Sequence, residues 1–269
     1  MVLLRVFGVT VFCLCIFCSI AFAGPVVLDK RLAEPFEECG YKGCFVLLDA
    51  ERKVITSSDL QLVDKPLMPA STFKIVHSLI ALKSGVHENV DSVLKWDGKN
   101  RGYKPWNQDL NLEQAVKYSA IWYFEETARR IGRERIHEEL LALGYTNADT
   151  KGSTIAFWLD GNLRVTPLEQ VEFLEKLYTG GLTFAQENQK AVRDLLLLEK
   201  NDDYTFWGKT GWAQRVSPQI GWLVGAVKVK DGRMFYYATY IESSEPGASF
   251  SKSRFEITKK CLKLSGIIS

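Results

Sequence analysis

Residues 69–85 read PASTFKIVHSLIALKSG, and the organisation of the chain turns on this stretch. Ile75, Val76, Leu79, Ile80 and Leu82 recur at helical spacing, so the segment is predicted to be an amphipathic helix that ends at Gly85. On such a helix Ser71 and Lys74 share one face of the first turn. Taken alone, that is most simply a serine cap followed by a surface lysine. Whether it is more depends on the segments around it.

Upstream, GCFVLLDA (43–50) and RKVITSS (52–58) are rich in β-branched and apolar residues and read as a strand hairpin turning at Glu51. Downstream, the pattern is mostly helical to about residue 200. NLEQAVKYS (111–119) has Asn111 as a helix cap. TPLEQVEFLEKLY (166–178) has Thr166 as cap, Pro167 at the first helical position and Glu169 completing a capping box. The period then changes: YTFWGKTGW (204–212), QIGWLVGAVKV (219–229) and RMFYYATYI (233–241) read as strands, the last two joined through Asp231-Gly232. SKSRFEITKKCLKL (251–264) closes the chain as an amphipathic helix. Strands, then helices, then strands predict an α/β (α+β) fold. An antiparallel sheet with flanking helices is built from both chain ends, residues 24–65 and about 200–269. A mostly helical lobe, about 66–199, is inserted between them, all within a single domain of residues 24–269. A groove between lobe and sheet is the natural place for a small-molecule site.

The chain has 269 residues, 46% hydrophobic and 25% charged, enough for a sizeable core. A formal charge of +2 and the lack of a basic stripe give no electrostatic case for nucleic acid. Residues 1–23 carry Arg5 ahead of the apolar run VFGVTVFCLCIFCSIAFA, which ends in Ala21-Phe22-Ala23. That pattern reads as a signal peptide cleaved near Ala23, or alternatively as an uncleaved anchor. Phe17 is bulky where a lipoprotein site at Cys18 would need a small residue. The mature chain is therefore expected to be exported, periplasmic or secreted, and not held in a membrane. Of six cysteines, Cys39, Cys44 and Cys261 then remain. In an oxidising compartment Cys39 and Cys44 can pair across Gly40-Tyr41-Lys42-Gly43; the alternative is two free thiols, with Cys44 buried in a strand. The three histidines, His77, His87 and His137, are scattered and imply no metal site.

For hydrolytic chemistry the chain offers neither G-x-S-x-G nor H-E-x-x-H. With so few histidines, a nucleophilic serine needs lysine as its base, and a lysine amine is basic only when desolvation keeps it neutral. Two further segments suit such a site. YSAIWYF (118–124) places Ser119 two residues before Ile121. GKTGW (208–212) sets Lys209, Thr210 and Gly211 on a strand, where a cation and a hydroxyl can hold a carboxylate and a glycine lets a ligand lie against the backbone. Each is weak alone; S-x-x-K, S-x-I and K-T-G in this order are specific.

With these motifs the chain resembles the penicillin-recognising serine enzymes, and among them the class D (oxacillinase-type) serine β-lactamases. The resemblance runs from about residue 65 to residue 260. It includes PASTFKI, KWDGKNRGYKPWNQD (95–109) with Trp106 and Asp109, YSAIWYF with Ile121 in place of the usual valine, FWLDGNLRVTPLEQVEFLEKLY (157–178) and GKTGWAQRVSPQIGWLVG (208–225). One motif departs: the family's Y-G-N stands here as Tyr145-Thr146-Asn147.

The resemblance implies a nucleophile, Ser71, and a base, Lys74, carboxylated on its amine by carbon dioxide, with no other cofactor. It implies Ser119 as proton relay, and Phe73, Ile121 and Trp158 as the pocket of the carbamate. Lys209, Thr210 and Arg254 would bind the substrate carboxylate, and the backbone N–H groups of Ser71 and Trp212 would form the oxyanion hole. Plainer readings stand beside these: Trp158 as core, Arg254 as a surface helix residue, the Trp212 side chain as packing. The activity implied is hydrolysis of small-molecule β-lactams of the penicillin type. A β-lactam sensor module and a D,D-peptidase are the alternatives. Substrate breadth and oligomeric state are left open.

Overall fold

The structure, a computed structural model, describes residues 25–152 and 154–269; the expected signal peptide lies outside the described residues. The chain opens with strand β1 (Val26–Leu28), helix α1 (Glu34–Cys39) and the hairpin β2 (Lys42–Asp49) and β3 (Val54–Ser57). Helices follow: α2 (Lys74–Ser84), α3 (Leu112–Lys117), α4 (Ile121–Ile131), α5 (Arg133–Ala142), α6 (Phe157–Asp160), α7 (Pro167–Thr179) and α8 (Gln186–Asp194). The chain returns to strands β4 (Leu197–Lys200), β5 (Tyr204–Ala213), β6 (Gln219–Val229) and β7 (Met234–Ser243), and closes with α9 (Phe250–Leu264).

The strands form one sheet in the order β1-β3-β2-β7-β6-β5-β4. It is antiparallel except for the β1–β3 pair. The N-terminal hairpin thus joins the C-terminal strands through β2 and β7, as the strand–helix–strand order predicts. Its central strands are buried on both faces, which is why they read as continuous apolar runs. Phe45, Leu47, Leu223, Tyr237 and Ile241 face one way, into a core shared with Phe250, Ile257 and Leu262 of α9. Cys44, Val46, Leu48, Trp222, Val224 and Ala238 face the other way, into the larger core of the helical region. The result is a sheet between α1 and α9 on one side and the remaining helices on the other.

Capping follows the sequence closely. Asn111 and Thr166 each close a capping box, with Gln114 and Glu169 as partners. Gly85 ends α2 in the left-handed conformation, φ 74°.

Three expectations are corrected. The segment after Pro69 is not one amphipathic helix starting at Ser71. Residues Ala70–Phe73 form a 3-10 turn, and in α2 every residue from Lys74 to Leu82 is buried, because the helix runs through the middle of the helical region with neighbours all round. The strands resume at Leu197, where exposed β4 forms an edge with no buried face to mark it in the sequence. Cys39 and Cys44 are both free thiols. Cys39 ends α1 and packs on the α9 side, whereas the Cys44 thiol lies in the opposite core, 3.3 Å from Ser57 Oγ. The sheet separates them, so no disulfide can span Gly40–Gly43.

Candidate active site

The 3-10 turn that presents Ser71 is held from both sides. Thr72 Oγ1 donates to Pro69 O (2.7 Å) and accepts from Gln170 Nε2 of α7 (2.9 Å). Trp222 Nε1 of β6 donates to Met68 O (2.9 Å). Ala70 sits at φ 49°, a left-handed conformation that costs a non-glycine residue about 1–3 kcal/mol and persists only where its surroundings impose it. Gly211 of β5 is the close neighbour. A Cβ there would lie 3.1 Å from Pro69 O and 3.1 Å from Thr72 Cγ2. The room expected for a ligand beside Gly211 is thus taken by the turn itself, and the glycine lets β5 approach the serine.

Lys74 is completely buried, and its Nζ donates to Ser71 Oγ at 2.9 Å. Nζ lies 5.2 Å from the Phe124 ring centroid and 5.9 Å from that of Trp158. Phe73 stacks on Trp158, and Phe157 meets both rings edge-on. Half-buried Ile121 opens α4 and packs against the same core. Burial in this apolar box drives the amine far below the ordinary lysine range; the nearby Lys209 charge adds to the effect, and Glu125 opposes it weakly. Within the box the indole N–H of Trp158 has no hydrogen-bond partner among the described residues. A neutral amine beside an unsatisfied buried donor fits an added anionic group, which would accept from that donor. Trp158 therefore lies beside Lys74 with Phe73 stacked on it, and Ile121 packs against the larger core to which they belong.

Ser119 lies between α3 and α4 at φ 52°, a second left-handed residue at the site. Its Oγ accepts from Lys209 Nζ, which also donates to Thr210 O at 3.1 Å. Trp106 Nε1 pins this loop by donating to Tyr118 O (2.9 Å). Lys209 is nearly buried, and desolvation, followed by the Arg254 charge, brings its pKa down to about 7. Both serines and Thr210 are half-buried while Lys74 and Lys209 are buried. The three hydroxyl-bearing residues are thus partly open to solvent, and the two lysines are enclosed. β4 pairs with β5 only from Thr205 to Trp207, so beyond Gly208 this edge of β5 has no strand neighbour among the described residues.

Arg254 is not the surface helix residue of the plainer reading. It is buried on the α9 face of the sheet, where its guanidinium donates to the carbonyls of Gly211 and Trp222 and to Ser251 Oγ. It ties α9 to β5 and β6, and its charge helps to lower the Lys209 pKa. The Trp212 ring packs against Phe250 and donates to Gln219 Oε1, which is a packing role. Sequence reasoning missed His77, Phe124 and Gln170. The first two were legible as the i+3 neighbours of Lys74 and Ile121 on their helices; Gln170 carried no local signal.

A profile of the penicillin binding protein transpeptidase domain matches residues 43–263. Among curated proteins, the chain is 38% identical over 240 residues to beta-lactamase OXA-48 of Klebsiella pneumoniae, spanning 89% of each chain. It is 35% identical over 254 residues to beta-lactamase OXA-10 of Pseudomonas aeruginosa, spanning 93% of this chain and 94% of that one. Among solved structures it is similar to FUS-1 (OXA-85), a class D β-lactamase from Fusobacterium nucleatum subsp. polymorphum. The TM-score is 0.84 with 35% identity, over 90% of this chain and 100% of that one.

Proposed function

The chain belongs to the class D serine β-lactamases, within the penicillin binding protein transpeptidase domain family, and on that premise we propose that it hydrolyses penicillin-type β-lactams through an ester on Ser71, with carboxylated Lys74 as the general base. The observation that carries this reading is the 2.9 Å contact between Ser71 Oγ and an amine kept neutral by an aromatic box.

Carbon dioxide bound to that amine would supply an anionic oxygen base beside Ser71 Oγ. Phe73, Ile121 and Trp158 hold this state, Trp158 through its free indole N–H. Ser71 Oγ attacks the lactam carbonyl as its proton leaves toward the Lys74 side chain. The backbone N–H groups of Ser71 and Trp212 receive the developing oxyanion, a contribution of about 3–4 kcal/mol per donor. As the ring C–N bond breaks, the leaving nitrogen takes the Ser119 proton, which Lys209 replenishes. Lys209 and Thr210 bind the substrate carboxylate on the open edge of β5, and Arg254 adds its charge from behind the strand. Water then attacks the ester, activated on the Lys74 side, and frees Ser71.

We further propose that residues 1–23 direct export and are removed near Ala23, so that residues 24–269 act as one exported, single-domain enzyme. Penicillin turnover with mass analysis of the protein tests the function. Repeated turnover with a transient adduct that Ser71→Ala abolishes is expected. An adduct that forms once and persists would favour the sensor or the peptidase, and an adduct on Ser71→Ala would refute the nucleophile.

A further inference from the structure

Lys74 and His77 stand three residues apart on α2, and their side chains lie against the same two rings. The His77 imidazole centroid is 5.2 Å from that of Phe124 and 5.3 Å from that of Trp158, the two rings that also flank Lys74 Nζ. On its remaining side it meets Phe73 at 5.5 Å. His77 is completely buried, and neither ring nitrogen has a hydrogen-bond partner among the described residues. An imidazole buried in that state costs free energy that a phenyl ring of similar size would not. The chain nonetheless places an N–H donor there, beside a second unsatisfied donor, Trp158 Nε1.

We propose that His77 is a positioning residue for the reactive state of Lys74, its imidazole and the Trp158 indole providing two N–H groups that stabilise the carboxylated side chain as an anion. The proposal rests on the carboxylated base put forward above. In the covalent step the unprotonated Nζ attacks the carbon of carbon dioxide, an N–C bond forms and one N–H proton is released to solvent. The side chain passes from neutral to a single negative charge. The apolar box that makes the amine reactive opposes that charge, and buried donors offset the opposition. Burial above all holds the His77 pKa down to about 3, and Lys74 and His87, whenever protonated, push it the same way; at neutral pH the ring offers one N–H and one lone pair.

Titration of the carbon-dioxide-stripped protein with 13C-bicarbonate, followed by NMR, tests this. His77→Phe keeps an aromatic wall and removes both nitrogens; the bicarbonate needed for half occupancy should rise about tenfold. His77→Gln restores an N–H and should lie within about threefold of the wild type. In wild-type protein labelled with 15N-histidine, a buried imidazole resonance should shift on adding bicarbonate and stay fixed in Lys74→Ala. That measurement decides the matter if His77→Phe does not fold. Unchanged bicarbonate dependence in His77→Phe, or an unresponsive imidazole, would make His77 a packing residue. A wild-type protein with no carbamate resonance would instead overturn the base itself, a distinguishable failure.

Discussion

Lys209 is the residue whose charge state matters most near neutrality. Burial and the Arg254 guanidinium lower its pKa to about 7 in the free enzyme, against 10.5 for an ordinary lysine. On the proposed mechanism, below about 7 the ammonium attracts the substrate carboxylate and keeps the Ser119 hydroxyl supplied with a proton; above it both contributions fade. Because kcat/KM reports the free enzyme, it should fall as pH rises through about 7. A bound carboxylate favours the charged amine, so the corresponding limb of kcat should lie at higher pH. Steady-state profiles in buffered bicarbonate measure both limbs. A kcat/KM flat to pH 9 or beyond would show that the protonation of Lys209 is not used.

At the scale of elements, the site depends on how closely β5 approaches the turn at residues 70–73. Gly211→Val would push against Pro69 O and Thr72, forcing apart the strand that carries Lys209 and the turn that carries Ser71. A stability loss of about 1–3 kcal/mol is expected from overpacking. A fall in kcat/KM of about a hundredfold should accompany it, since a misplacement of about 1 Å is enough. Thermal unfolding and kinetics of the variant give both; wild-type kcat/KM would mean that the contact does not position the serine. The strands and capped helices around this contact were legible because their patterns are local: Asn111 and Thr166 announce their helices, and Asp231-Gly232 a hairpin. The 3-10 turn and the burial of α2 on all sides were not: Gln170, Trp222 and Gly211 close in on the turn from distant parts of the chain, and α3, α4 and α8 enclose α2. Edge strand β4 was missed for a related reason: its side chains are all exposed, so it has no buried face to set a period.

Over the whole molecule, the sheet acts as a partition as well as a scaffold. It places Cys39 and Cys44 in different cores, five residues apart in sequence but on opposite faces. Peptide mapping of unreduced protein should therefore find Cys39, Cys44 and Cys261 as free thiols, and a linked Cys39–Cys44 peptide would contradict the arrangement. The reactive residues could be read from three short motifs, but the medium that makes them reactive could not. Phe73 lies in the turn, His77 on α2, Phe124 on α4, and Phe157 and Trp158 on α6; together they remove Lys74 from water. A chain-wide enclosure of this kind leaves no local trace beyond apolar residues. On the proposed mechanism it is also what turns Lys74 into a neutral amine able to take up carbon dioxide. The most direct measurement of that claim is penicillin turnover by carbon-dioxide-stripped protein before and after adding 13C-bicarbonate, with the carbamate resonance recorded on the same samples. Turnover should be low at first and recover in proportion to a resonance that is absent from Lys74→Ala. Full turnover in stripped protein, with no resonance at any bicarbonate concentration, would contradict it.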